Sequence, residues 1–195
     1  GNPSGLWGFK VPETMIVVAL WKLMFPGHVF LHVTRDPRTT CQPQGNYVTY
    51  AYMCPPTLGR PCANLTESRE DCYRYWSLAN MYARRVYTTD LCWATRYLHV
   101  PTEDLVAVSG SVRQERLIKD IASAIGQSTI PRSSLTGTMM RAASHKNSYL
   151  HASNIGNLSG FNVRTALCRF GYSLTGLGRH DCYSTPSCSE DAWLG

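Results

Sequence analysis

Two arginines and an aspartate follow directly on an apolar segment near position 30, and they are the residues best suited to bind an anion. Residues 28–33 are mostly apolar, and the chain then continues with the letters TRDPR. A guanidinium offers a planar fork of N–H donors that matches phosphate or sulfate. The pattern predicts an anion site on Arg35 and Arg38. The alternative is a solvated strand end in which Asp36 pairs with an arginine or caps the following turn.

Arg35 and Arg38 can bind a ligand only if the strand before them ends at the edge of a sheet. Residues 6–10 suit a short strand, and Pro12 then opens a helix with Glu13 in its first turn. A Pro-Gly pair ends the helix, and residues 28–33 suit a strand buried on both faces of a parallel sheet. In such sheets ligands bind beyond the carboxyl ends of the strands, which is where the two arginines lie.

After residue 66 the chain again alternates between predicted helices and strands. We predict a helix over 66–93 with a break near 88–89, a strand over 96–100, and an amphipathic helix over 112–125 that Gly126 caps. The fold class is therefore α/β, a partial parallel sheet flanked by helices, with disulfide-stapled loops. We expect a core over 1–126 with a cysteine-rich loop at 39–66. Residues 127–195 would be an irregular, cysteine-containing extension of the same domain.

Cysteines and glycosylation sequons favour an oxidising compartment. The chain has 8 cysteines and no C-x-x-C pair, which is typical of a disulfide-containing secreted or lumenal protein. Sequons at Asn64 and Asn157 agree with this location. We expect the lumen of the secretory pathway, such as the Golgi, or the extracellular space. The alternative is a cytosolic protein with buried free thiols.

Several classes of protein are disfavoured by composition and spacing. No apolar run is long enough to span a bilayer, and we expect no transmembrane segment in this chain. The net charge of +6 favours acidic partners, but the absence of a single-sign charge run disfavours nucleic acid. No histidine spacing typical of a metal site occurs, and His28 and His32 suit packed, hydrogen-bonded positions. The start lacks the features of a signal peptide, which suits a mature product or a fragment.

Four motifs in order resemble the sulfotransferases that use 3′-phosphoadenosine 5′-phosphosulfate (PAPS). The first two are WGFKVP at 7–12 and, after an apolar helix, FPGHVFLHVTRDPR at 25–38. The third is YRYWSLAN at 73–80, which resembles the family's long helix with a Trp and an Asn. The fourth is RYLHVPTEDLV at 96–106, followed by the helix at 117–126. The resemblance covers about two-thirds of the chain, from 7 to 126. It implies a sulfotransferase-like, P-loop-like fold.

The resemblance also implies roles for individual residues. Arg35 matches the arginine that binds the 3′-phosphate of the cofactor, and Arg38 stands beside it. Lys10 matches a lysine near the sulfuryl group, where a cation would stabilise charge on the bridging oxygen. Glu13 is the candidate for the base that takes the proton of the acceptor hydroxyl.

The chain departs from the family at three places, and one of them is the late glycine-rich segment that covers the adenine, which is not recognisable here. The loop that cradles the 5′-phosphosulfate is not recognisable here, so we expect an upstream segment or a companion chain to supply it. Pro43 stands where the family has a serine that binds the 3′-phosphate, and Thr39 or Thr40 would have to substitute. We also expect another segment or chain to cover the edge of the sheet.

Two functional hypotheses follow. The first is transfer of a sulfuryl group from PAPS to a hydroxyl of a glycan or tyrosine. The second is a non-catalytic, disulfide-rich, glycosylated structural or binding component of an extracellular or lumenal assembly. A secreted disulfide-rich ligand unrelated to the family is a third, weaker hypothesis.

Overall fold

The computed structural model describes residues 8–10, 15, 17–41, 69–106, 111–130 and 161–172. The helices in these ranges are α1 (Val18–Met24), α2 (Pro37–Thr40), α3 (Arg69–Thr88), α4 (Leu91–Ala94), α5 (Thr102–Leu105), α6 (Val112–Ala124) and α7 (Phe161–Arg169). The strands are β1 (Phe30–Thr34) and β2 (Tyr97–Pro101). No helix in the described ranges is long and apolar enough to cross a membrane.

The two strands form a small parallel sheet, so the α/β class predicted from the sequence is confirmed. Phe30 lies opposite Tyr97, His32 opposite His99 and Thr34 opposite Pro101. Both strands therefore end at the same edge of the sheet. One expectation fails: residues 8–10 form no strand, although a strand was predicted over 6–10.

The exposure of β1 also differs from the prediction. His32 and Thr34 are buried on the face that points towards α3, but Val33, on the other face, is 56% exposed. A strand buried on both faces is therefore the wrong description for the described part of the chain. Alternation along the strand places successive side chains on opposite faces, so a continuous apolar sequence does not fix the burial of both.

The long helix α3 carries the residues that pack on the sheet. Its buried side chains recur at helical spacing: Cys72, Tyr73, Trp76, Ala79, Asn80, Ala83 and Tyr87. The helix ends at Thr88, and the side chain of Asp90 then caps α4 by accepting a hydrogen bond from the Cys92 backbone N–H at 3.0 Å. The break predicted near 88–89 is confirmed. A new N-cap is its physical cause.

Helix α7 corrects the prediction that 127–195 is irregular throughout. Val163, Ala166, Leu167 and Phe170 are buried, and they pack with Trp76 and Tyr172 in one apolar cluster. Gly171 ends the helix with a φ of 69°, and the backbone N–H of Tyr172 donates to Leu167 O at 2.8 Å. This Schellman turn returns the chain to the core. Tyr172, 0% exposed, is thereby brought to the sheet.

Gly126 ends α6 in the same way, as the sequence predicted. Its φ is 71°, and the Gln127 N–H donates to Ala122 O at 2.8 Å. At the other end of α6, the Ser111 side chain accepts from the Gln114 backbone N–H. Leu117 and Ala122 are buried, whereas Ile118, Ile121 and Ile125, which the amphipathic pattern also places on the apolar face, are only partly buried.

A disulfide joins Cys41 to Cys72, a pairing that the sequence left open. Cys41 is the C-cap of α2, and Cys72 lies in the first turns of α3. The bond therefore ties the turn after β1 to the helix that covers the sheet. Cys168 also takes part in a disulfide, while Cys92 is exposed and free.

We expect the Cys41→Ser/Cys72→Ser variant to lose about 3 kcal/mol of unfolding free energy, because the bond closes a loop with a sequence separation of 31. Urea denaturation followed by circular dichroism measures the loss. Cys92→Ser, at the exposed free cysteine, is the control and should unfold like the native chain. An unchanged midpoint in the double variant would show that this bond contributes nothing.

Candidate functional site at the carboxyl ends of the two strands

The turn after β1 is built around the Asp36 carboxylate. Asp36 is the N-cap of α2, and its Oδ1 accepts from the Arg38 backbone N–H at 2.9 Å. Its backbone oxygen accepts from the hydroxyls of Thr39 and Thr40 at 2.7 and 3.1 Å. Pro37 is at the first helical position, where a missing N–H costs nothing. The residues Asp36 to Thr40 thus stabilise the backbone conformation of this turn through contacts with one another.

Arg38 is committed to Asp36. Its Nε donates to Asp36 Oδ1 at 2.8 Å and its Nη2 to Oδ2 at 2.5 Å. Both side chains are 2% exposed, so this bidentate ion pair is closed off from solvent. Asp36 therefore does both things considered for it from the sequence: it holds an arginine and it caps the next turn.

A single peptide unit, the one between Arg35 and Asp36, is held by side chains from two other elements. The indole N–H of Trp76, on α3, donates to Arg35 O at 3.0 Å. The backbone N–H of Asp36 donates to Oε1 of Glu103, on α5, at 2.7 Å. One residue earlier, the Thr102 hydroxyl donates to Thr34 O at 2.6 Å. The backbone on either side of Arg35 is thus fixed by three side chains.

Glu103 and Tyr172 connect this turn to the end of α7. The Tyr172 hydroxyl donates to Glu103 Oε2 at 3.1 Å and lies 2.9 Å from the Thr34 hydroxyl. Burial raises the pKa of Glu103, and the charge of Asp36 adds to the rise. The hydrogen bonds from the Asp36 N–H and from Tyr172 oppose it. The Glu103 carboxyl group is therefore buried in a site that disfavours its ionised form.

A hydrogen-bonded histidine fills the sheet face below the turn. His32 Nε2 is 2.8 Å from Asn80 Oδ1, and Nδ1 is 2.8 Å from the Tyr97 hydroxyl. Asn80 Nδ2 donates to Trp76 O, so its oxygen faces the ring and requires a proton on Nε2. The neutral imidazole is therefore fully paired. Burial, opposed by the Asn80 hydrogen bond and aided by the charge of Arg84, lowers the pKa of His32 to about 4.

The packed, hydrogen-bonded state expected for His28 and His32 is confirmed. His28 contacts the Phe25 carbonyl oxygen and the Tyr87 hydroxyl through its two ring nitrogens. Both ring nitrogens of each imidazole therefore have a hydrogen-bond partner within the protein. A third histidine, His99, meets the Thr34 hydroxyl at 2.7 Å.

Of the site residues predicted from the sequence, the structure brings Arg35 and Arg38 together but not Lys10. Arg35, partly exposed, and Arg38, buried, both lie at the carboxyl end of β1. Lys10 is exposed beside Phe9, whose ring centroid is 4.7 Å from that of Trp21 on α1. No contact among the described residues links Lys10 to the turn after β1, which we call the strand-end turn. Glu13, Asn64 and Asn157 lie outside the described residues.

Sequence reasoning missed three residues that build this site. Trp76 and Glu103 were recognised only as parts of family-like motifs, with no role of their own. Tyr172 was assigned to an irregular segment. A signal for Tyr172 was present, because the spacing of Val163, Ala166, Leu167 and Phe170 before Gly171 is that of an apolar helix with a glycine cap.

A separate cleft of about 270 Å³ lies between the end of β2 and α6. Its charged lining residues are Asp104, Arg113, Arg116 and Asp120. The two signs are balanced, so the cleft carries no preference for an anion. In the described ranges, no group of three or more His, Cys, Asp or Glu side chains is arranged to hold a metal ion.

The chain matches no family model, no curated protein and no solved structure. The sulfotransferase resemblance therefore remains a prediction from the sequence motifs.

We expect the native protein to lose stability as pH falls from about 6.5 to about 4. In this range His32 binds a proton in the unfolded chain but stays neutral in its buried site, so protonation favours the unfolded state. The loss attributable to His32 is at most about 3 kcal/mol and is absent above the ordinary histidine pKa. His32→Gln keeps an N–H for Asn80 but does not titrate. Urea denaturation at pH 4.5 and 7.5 should show a smaller pH effect in this variant. Equal pH effects in the two proteins would contradict the assignment.

Proposed function

We propose that this chain is a sulfotransferase-like protein whose strand-end turn binds the 3′-phosphate of PAPS through Arg35. The observation that carries the proposal is the rigid backbone around Arg35, which Trp76, Glu103 and the Asp36 cap fix from different sides. A binding arginine gains affinity when its backbone is fixed before the ligand arrives. The location beyond the carboxyl end of a parallel strand supports the same role.

Arg38 takes a supporting part in this proposal. Its guanidinium is already paired with Asp36, so a phosphate would have to replace a closed ion pair to reach it. Arg38 instead stabilises the turn that carries Arg35. The Thr39 and Thr40 hydroxyls, which would have to replace the family's serine, both point to the Asp36 carbonyl oxygen.

The proposed reaction is sulfuryl transfer in the lumen of the secretory pathway. The oxygen of a glycan or tyrosine hydroxyl attacks sulfur, the bond from sulfur to the bridging phosphate oxygen breaks, and the hydroxyl proton goes to a base. Lys10 would stabilise the leaving phosphate, and Glu13 would accept the proton. Another polypeptide segment or chain would supply the loop for the 5′-phosphosulfate.

The same segment or chain would cover apolar surface near β1. Val33 is 56% exposed, and Leu23 and Leu20 on α1 are 79% and 53% exposed. Among the described residues, β1 pairs only with β2. Exposed apolar side chains on β1 and α1, together with a strand that has one described partner, support a covering segment.

A non-catalytic role is the second proposal, and the disulfides favour it. The Cys41–Cys72 bond and the closed Asp36–Arg38 pair both stabilise the turn without any ligand. A glycosylated structural or binding component of an extracellular assembly would need such stability and no cofactor. Ligand binding separates the two proposals.

We expect adenosine 3′,5′-bisphosphate to bind the full-length protein, and Arg35→Ala to weaken binding about 10- to 100-fold, because a charge-assisted pair to the 3′-phosphate is lost. Isothermal titration calorimetry measures both affinities. Arg85→Ala is the matched control, because Arg85 is exposed on α3 more than two helical turns from Trp76 and its loss changes net charge equally. Absent binding, or equal losses in the two variants, would favour the non-catalytic role.

A further inference from the structure

The Arg35–Asp36 peptide is held in a way that ordinary packing does not require. A backbone N–H near a sheet edge can be satisfied by water or by another backbone carbonyl. Here it is satisfied by the carboxylate of Glu103 at 2.7 Å, in a site where burial raises the pKa of that group. The carbonyl of the same peptide receives the indole N–H of Trp76 at 3.0 Å.

We propose that Glu103 and Trp76 are positioning residues that hold the Arg35–Asp36 peptide from two elements and so direct Arg35 towards its anion. This inference rests on the proposed function of Arg35. The orientation of a peptide plane sets ψ of the residue before it and therefore the direction in which that residue's side chain leaves the backbone. Two side chains that fix both polar groups of one peptide leave that plane no freedom to rotate.

The positions of Glu103 and Trp76, the two clamp residues, are themselves fixed by contacts with Tyr172. Trp76 packs edge-on against Phe170 and Tyr172, with ring centroids 5.7 and 5.8 Å away. Glu103 receives the Tyr172 hydroxyl at 3.1 Å. Both therefore depend on the same aromatic residue at the end of α7. The hydrogen bonds and ring contacts thus run from the end of α7 through Tyr172 to the backbone of Arg35.

The charge of Glu103 gives the clamp a signature in the pH dependence of binding. Its carboxyl interacts with the charge of Asp36, which is itself paired with Arg38. It also accepts from the Tyr172 hydroxyl, which reaches His99 through the Thr34 hydroxyl. Glu103 contacts the backbone N–H of Asp36, the residue that follows Arg35 in the chain. In its ionised form it repels an anion bound at this turn more strongly than in its protonated form. Anion affinity should therefore rise as pH falls through the raised pKa of Glu103.

The test compares Glu103→Gln with Glu103→Ala, which lose the same charge. Glutamine keeps an oxygen for the Asp36 N–H, and alanine does not. By calorimetry at pH 7.5, Glu103→Gln should bind adenosine 3′,5′-bisphosphate at least as tightly as the native chain, and Glu103→Ala about tenfold more weakly than Glu103→Gln. Trp76→Phe should also weaken binding. Val18→Ala, which removes buried volume in a separate apolar cluster, destabilises the fold and should leave the affinity unchanged.

Two further measurements separate positioning from general destabilisation. In an Arg35→Ala background, Glu103→Ala should cost no further affinity, because it acts through Arg35. The ratio of the affinity of the native chain to that of Glu103→Gln, in which effects of ligand protonation cancel, should rise as pH falls through the raised pKa of Glu103.

The outcomes are distinct. If the native chain binds, Glu103→Ala binds as tightly as Glu103→Gln, and Trp76→Phe binds as tightly as the native chain, the positioning role is wrong and the proposed function stands. Additive losses with Arg35→Ala also overturn the positioning role. An affinity ratio that does not change with pH overturns the proposed repulsion between the charge of Glu103 and the anion. If the native chain does not bind, the proposed function and this inference both fall.

Discussion

The turn after β1 depends on the buried ion pair between Asp36 and Arg38. The carboxylate of Asp36 starts α2, holds a guanidinium in two hydrogen bonds and is 2% exposed at its side chain. Without Arg38, an unpaired carboxylate would remain buried, a situation that costs about 3–5 kcal/mol. Three further contacts of the turn are made to the backbone of the same residue, because the Thr39 and Thr40 hydroxyls and Glu103 all bond to Asp36.

Local signals predicted the elements that lie close together in sequence. The α/β class, the break after α3, and the Gly126 cap follow from proline, glycine and helical spacing within a few residues. The two roles considered for Asp36 were also readable, since capping and pairing with Arg38 both act over two positions. The strand predicted at 6–10 is not formed by residues 8–10, because short apolar runs specify a strand only when a partner pairs with them.

Contacts between distant residues could not be predicted in the same way. Trp76 reaches a carbonyl 41 positions away, and Tyr172 meets Thr34 across 138 positions. No local pattern specifies which indole or hydroxyl will meet which backbone group, because that choice is made by tertiary packing. The disulfide was open for the same reason: the sequence gives the number of cysteines, and the fold decides that Cys41 meets Cys72.

Gly171 has a consequence for the order in which the molecule assembles. Thr34 and Glu103 leave the ribosome well before Tyr172, and the hydroxyl that joins them arrives only when α7 has formed and its glycine has turned the chain inwards. Contacts across such long separations form late, because a long loop must close first. The strand-end turn therefore matures after the sheet that carries it. A chain that stops short of residue 172 would contain β1 and β2 but would lack the hydroxyl that joins Thr34 to Glu103.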